Sequence, residues 1–134
     1  MIKQLAHVCI HCTDLKKTEK FYCSALGLEK KFEFYREGRP AGFYLNAGSD
    51  TFIEVFVGSP AGDSGTIRHI CLEADDLNVL ADHLRNQGVE TSDIKVGADN
   101  SRQFWISDPD GTQIEFHEYT ETSSQRTGKN AILK

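Results

Sequence analysis

Apolar and polar residues alternate along IKQLAHVCIHC (residues 2–12), a period of two that predicts a strand. The period then lengthens. Asp14 stands as an N-cap before LKKTEKFYCSAL, where Leu15, Thr18, Tyr22, Ala25 and Leu26 fall near one helical face and Gly27 ends the run. Strand character returns in FEFYRE (32–37), GFYLNA (42–47) and TFIEVFV (51–57). The series then starts again. After HICLEA (69–74), Asp76 caps LNVLADHLRNQ, with Leu77, Leu80, Ala81 and Leu84 as its apolar stripe and Gly88 as its stop. A less regular strand near DIKV (93–96) precedes RQFWIS (102–107) and TQIEFHEY (112–119), and the DPDG between these last two carries the Asp-Gly signal of a hairpin. The order β-α-β-β-β is read twice.

The recurrence reaches individual residues. His7, Cys9, Asp14 and Leu15 return 62 positions later as His69, Cys71, Asp76 and Leu77. After a gap of one residue, Phe43, Thr51, Ile53 and Glu54 return 61 positions later as Phe104, Thr112, Ile114 and Glu115. Self-similarity at a fixed spacing marks duplicated structural modules. The boundaries fall at 4–58 and 66–118, joined by the turn-rich GSPAGDSG (58–65). Together they predict one α+β domain over 1–118, built of two tandem βαβββ modules. From Tyr119 the chain turns polar, and 119–134 reads as a loose tail.

Composition narrows the function. Hydrophobic residues make up 39% and charged residues 26%, as in an ordinary globular domain. The net charge of −5 and the lack of a long basic run exclude phosphate-driven nucleic-acid binding. No apolar stretch has the length of a membrane helix, and MIKQLAHV lacks the apolar core of a signal peptide, so a cytoplasmic protein is expected. Four cysteines (Cys9, Cys12, Cys23, Cys71) make no disulfide framework, and reduced thiols are expected. Cys9 and Cys12 form a C-x-x-C, yet three strand steps send their sulfurs to opposite faces, against a shared metal or a disulfide.

Strand alternation places the candidate chemistry. His7 shares a face with Leu5, Cys9 and His11, and His69 shares one with Ile67, Cys71 and Glu73. Glu54 lies with Phe52 and Phe56, and Glu115 with Gln113 and His117. A single strand histidine is most often structural, and a single strand glutamate most often solvated. The recurrence of both at matching places points instead to one His and one Glu from each module meeting on a divalent ion. Neutral imidazole and carboxylate suit zinc, nickel, cobalt, manganese or iron. His11, Phe56, Trp105 and His117 are candidate lining residues for a substrate. Arg36, Arg39 and Arg102 are candidate anchors for an anion, and His83 reads as surface.

These residues resemble the vicinal-oxygen-chelate superfamily and, within it, the glyoxalase I-like proteins. The resemblance covers about 4–118. Its marks are His7 before Asp14-Leu15, then Phe21-Tyr22 with Leu26-Gly27, and Ile53-Glu54. In the second module they are His69 before Asp76-Leu77, then DPDG (108–111) followed by Ile114-Glu115. The resemblance implies paired βαβββ modules whose sheets curl around a metal-binding cleft, and often a homodimer. It implies a metal-dependent lyase or isomerase, like lactoylglutathione lyase, acting on a small substrate with vicinal oxygens through a metal-stabilised enediolate. Glu115 would shuttle the proton, or Glu54 from the other side. Two positions depart from bacterial glyoxalase I: His11 and Gly58 stand where that enzyme carries an Arg and an Asn that help hold glutathione. The departures weigh against a glutathione-bound substrate. An Fe(II) ring-cleaving dioxygenase and a non-catalytic antibiotic-binding protein remain the other readings of this resemblance.

Overall fold

In the computed structural model, residues 1, 5, 7–58, 67 and 69–133 are described. The predicted strand residues 2–4 and 6, the linker residues 59–65, and residues 66, 68 and 134 lie outside the described set. The chain divides into two compact units, one of residues 1–66 with 108–112, the other of 67–107 with 113–134.

In the first unit, β1 (His7–Cys12) is followed by α1 (Leu15–Glu19), then by a wider π-helical turn over Lys20–Ala25. Asp14 caps the helix by accepting from the Lys17 N–H at 3.1 Å. The widening shows in the Leu26 N–H, which reaches back five residues to Phe21 O at 3.0 Å. The residue pattern of a single helix gives no sign of it. Gly27 ends the segment at φ 73°, as a helix stop requires.

Three strands follow: β2 (Glu29–Arg36), β3 (Arg39–Gly48) and β4 (Thr51–Val57). The sheet order is β1-β4-β3-β2, with β1 parallel to β4 and the other pairs antiparallel. β2 begins earlier than FEFYRE predicts and stops before Glu37. Glu37 and Gly38, at φ 52° and 75°, form instead the two-residue turn that suits a twisted hairpin. One face of the sheet is buried through Cys12, Phe43, Leu45, Ile53 and Val55, and the helical segment buries Thr18, Tyr22 and Ala25. Apolar burial of this kind supplies most of a domain's stability.

The second unit repeats the plan with β5 (Ile70–Glu73), α2 (Leu77–Asn86), β6 (Lys95–Val96), β7 (Arg102–Ser107) and β8 (Gln113–Glu118). The order is β5-β8-β7-β6, with β5 parallel to β8. Asp76 caps α2 through the Asn78 and Val79 N–H groups at 3.0 and 3.1 Å. Leu77, Ala81, Leu84, Phe104, Ile106, Ile114 and Phe116 form the core. No helix among the described residues is long and apolar enough to cross a membrane.

Two segments depart from the sequence reading. The β7–β8 connection is a five-residue loop, Asp108–Thr112, and it counts with the first unit although the repeat places it in the second module. Asp108, only 5% exposed, holds it. Its Oδ1 accepts from the Asp110 and Thr112 N–H groups at 2.9 and 2.8 Å, and its Oδ2 accepts from the Tyr22 hydroxyl at 2.8 Å. Burial and the Asp108 charge push the Tyr22 phenol far above its ordinary range, so it stays a donor. Asp110 accepts in turn from the Thr13 N–H and hydroxyl.

The polar tail is the second departure. Ser124–Thr127 form α3, closed by Gly128 at φ 72°. The Ser124 N–H donates to Asp99 O at 2.8 Å, Gln125 Nε2 to Asp99 Oδ2 at 2.7 Å, and Ser123 is fully buried beside Ser101. Hydrogen bonds dock this segment, and they leave no apolar period to read.

Asp108→Ala leaves three donors without their acceptor, so it is expected to lower unfolding free energy by about 2–4 kcal/mol, and Tyr22→Phe by about 1. Urea titration measures both; an unchanged midpoint for Asp108→Ala would show that its three hydrogen bonds do not stabilise the fold.

Candidate metal centre

In the first unit the site follows from one register. Parallel pairing sets Cys9 beside Glu54 and His7 beside Phe52. Ile53 and Val55 are buried, so alternation turns Phe52, Glu54 and Phe56 to the other face, together with His7, Cys9 and His11. There His7 Nε2 lies 4.0 Å from Glu54 Oε1. Tyr44 pairs with Glu54 from the neighbouring strand, and its hydroxyl lies 3.0 Å from His7 Nδ1. The Tyr44 ring stacks on Phe32 at 4.6 Å and tilts against Phe52 at 5.0 Å. Phe56, half-buried, packs on Phe34 at 4.6 Å. Gly42 lies beside it, and a Cβ there would strike the Val55 carbonyl oxygen and lie 2.8 Å from the Phe56 ring. His11 stands at the far end of the face, opposite Phe56, with its ring against Gly58. The Cys9 thiol is pushed up by desolvation and then by Glu54, which keeps it protonated.

The second unit builds its counterpart more deeply. Glu115, 8% exposed, pairs with Cys71 on β5 and Trp105 on β7. His69 Nε2 lies 3.3 Å from Glu115 Oε2, and His117 Nε2 lies 2.8 Å from Oε1. Trp105 meets His69 edge-on at 4.8 Å, as Tyr119 meets His117 at 5.7 Å. Ligand atoms of Cys71, Glu115 and His117 all lie within 4.8 Å of one another. Desolvation, then the Glu115 charge, pushes the Cys71 thiol up to about 12, so it is no nucleophile as it stands. His117 is itself only 8% exposed, and its Nδ1 has no hydrogen-bond partner among the described residues.

The structure thus brings His7 to Glu54, and His69 to Glu115. His11 is set apart from the first pair. Phe56 and Trp105 are half-buried walls, while His117 is a buried partner of Glu115. Arg102 is no free anchor: it holds Glu118 at 2.9–3.0 Å and Asn78 at 3.1 Å. Cys9 and Cys12 face opposite ways, the first exposed and the second buried. Sequence reasoning misses Tyr44. The available signal is that it and Trp105 are aromatic residues 61 positions apart, each opposite a glutamate.

Imidazole nitrogens and carboxylate oxygens within a few ångströms of one another form a donor set that suits a borderline divalent cation. Two histidines on one buried carboxylate fit such an ion better than a simple ion pair. One histidine would satisfy the charge.

Comparison with known proteins identifies the family. Residues 4–116 match the Glyoxalase/Bleomycin resistance protein/Dioxygenase superfamily, and the chain belongs to that family. The uncharacterized protein YaeR of Escherichia coli (strain K12) is 30% identical over 125 residues, 87% of this chain and 97% of that protein. TnmS3, an antibiotic binding protein from Streptomyces sp. CB03234, shares the fold with a TM-score of 0.75 at 22% identity, over 89% of this chain and 98% of that one. Lactoylglutathione lyase from Agrobacterium tumefaciens does so with a TM-score of 0.67 at 19% identity, over 87% and 94%.

His117→Phe places at 117 the residue type found at the equivalent position 56, but strips Glu115 Oε1 of its partner. It is expected to destabilise the metal-free protein by about 1–3 kcal/mol in urea titration. No loss of stability would show that water replaces the imidazole.

Proposed function

We propose that the chain is a metal-dependent lyase or isomerase acting on a small substrate with two neighbouring oxygens. His7, Glu54, His69 and Glu115 hold one divalent ion, nickel, cobalt or zinc before manganese or iron, in a cytoplasmic homodimer. The observation that carries this is the same arrangement in both units: a histidine Nε2 next to a carboxylate, at positions related by the repeat.

The ion, when bound, supplies Lewis acidity toward a substrate oxygen. The chain's own residues do the rest. Glu115 takes the α-proton of the substrate at a carboxylate oxygen and returns it to the adjacent carbon, with no net redox change. Glu54 is the second candidate for that transfer. A positioned base of this kind contributes typically about 10²–10⁴ in rate. His117 holds Glu115 Oε1 and so limits the rotation of the carboxylate. The aromatic face around Tyr44, Phe52 and Phe56 offers the apolar part of a substrate a dry wall. His11 and Gly58 stand where glyoxalase I carries the Arg and the Asn that help hold glutathione, which favours a substrate without it.

One observation favours a second reading. His69, Glu115 and His117 give two histidines and a carboxylate from a single unit, the ligand type of Fe(II) oxygenases. A third use of the fold, binding a small molecule such as an antibiotic without catalysis, is distinguished by the same experiments.

Protein loaded with Ni²⁺, Co²⁺ or Zn²⁺ is expected to carry about one ion per chain by elemental analysis. Less than about half an ion for all three metals would end the metal-enzyme reading and leave the binding protein. Glu115→Gln, assayed at saturating metal, is expected to lose about 10²–10⁴ in kcat on a vicinal-oxygen substrate. Oxygen uptake with catechols after anaerobic iron loading would select the dioxygenase.

A further inference from the structure

We infer that Tyr44 is a positioning residue for His7: its hydroxyl oxygen accepts the Nδ1–H of the imidazole and so presents Nε2 as the ligand nitrogen. The inference rests on the reading of His7 as a metal ligand. A neutral imidazole has one N–H and one lone pair. If Nε2 is to bind a cation, the proton must sit on Nδ1, and an acceptor must be there to hold it. The Tyr44 oxygen lies 3.0 Å from that nitrogen. Glu54, which faces Nε2, is the direct strand neighbour of Tyr44, so one register fixes both partners of the ring.

Tyr44 is held firmly enough for this task. Its ring stacks on Phe32 at 4.6 Å, leans on Phe52 at 5.0 Å and meets Phe34 edge-on at 6.2 Å. His7 is less enclosed, with 40% of its side chain exposed, and therefore depends more on a specific contact for its orientation. The second unit does this differently. Trp105 occupies the equivalent place opposite Glu115, but an indole N–H only donates, and it meets His69 by ring contact. The two histidines are oriented by different chemistry.

Tyr44→Phe removes the hydroxyl and keeps the ring, so it isolates the hydrogen bond. The probe is Co²⁺ alone, added to the full-length metal-free protein and followed by its visible d–d absorption. Tyr44→Phe is expected to weaken Co²⁺ binding about 10–100-fold and to alter the absorption band. The melting temperature of the metal-free protein should move by about 5 °C or less. His7→Ala is measured beside it. If His7→Ala weakens binding but Tyr44→Phe matches the wild type in affinity and spectrum, the positioning role is overturned while His7 remains a ligand. If His7→Ala itself binds as the wild type does, the ligand reading fails and the inference with it.

Discussion

The parallel pairing of the first and last strands of each unit is the constraint on which the candidate site depends. It joins β1 to β4, and β5 to β8, across the intervening helix and strands. Only this pairing makes neighbours of His7 and Glu54, or of His69 and Glu115. Its register matters as much as its existence. With Cys9 beside Glu54 and Cys71 beside Glu115, each histidine lies two residues back on the same face as the carboxylate. A slip of one residue would turn the glutamates into the core and the isoleucines and valine beside them outward. The apolar flanks Ile53, Val55, Ile114 and Phe116, all buried, oppose that slip, so core packing and site geometry are enforced by the same residues.

The two units share this frame and differ in how they support it. In the first, the carboxylate sits among aromatic rings, and the histidine is held by a phenol. In the second, a further histidine holds a more deeply buried carboxylate. The difference traces to two positions of the repeat, Tyr44 against Trp105 and Phe56 against His117. Burial sets the consequence. Glu115 at 8% exposure needs charge-compensating partners, because an unpartnered buried carboxylate costs several kcal/mol. Glu54, with 20% of its side chain exposed, retains contact with water. The duplicated frame thus carries the same His–Glu pair in two different surroundings, one with Phe56 and one with His117 two residues beyond the glutamate.

Both His–Glu pairs were legible in the sequence, because strand alternation and the internal repeat are properties of residue order. Tyr44 was not. Its place opposite Glu54 depends on the β3–β4 register, which includes an irregularity between Asn46 and Gly48 that no hydropathy pattern reports. His117 was legible as a residue of the right face, but not as a buried partner of Glu115. Tyr119 packs on its ring, and Tyr119 in turn lies under the guanidinium of Arg126, in a segment whose polar composition reads as a loose tail. Hydrogen bonds to Asp99 and Ser101 organise that segment, and such bonds follow spatial proximity with no periodic signature.

Residue order by itself determined the two βαβββ modules, the faces of their strands and the four residues proposed as ligands. Each of these is a matter of period, and period is local. The tertiary structure decided how deep each carboxylate lies, which side chain holds each histidine, and that the DPDG loop is pinned by Tyr22 within the first unit. Those features join residues far apart in the chain, such as Tyr22 with Asp108 and His7 with Tyr44. They are set by packing and register, which exist only once the chain has folded.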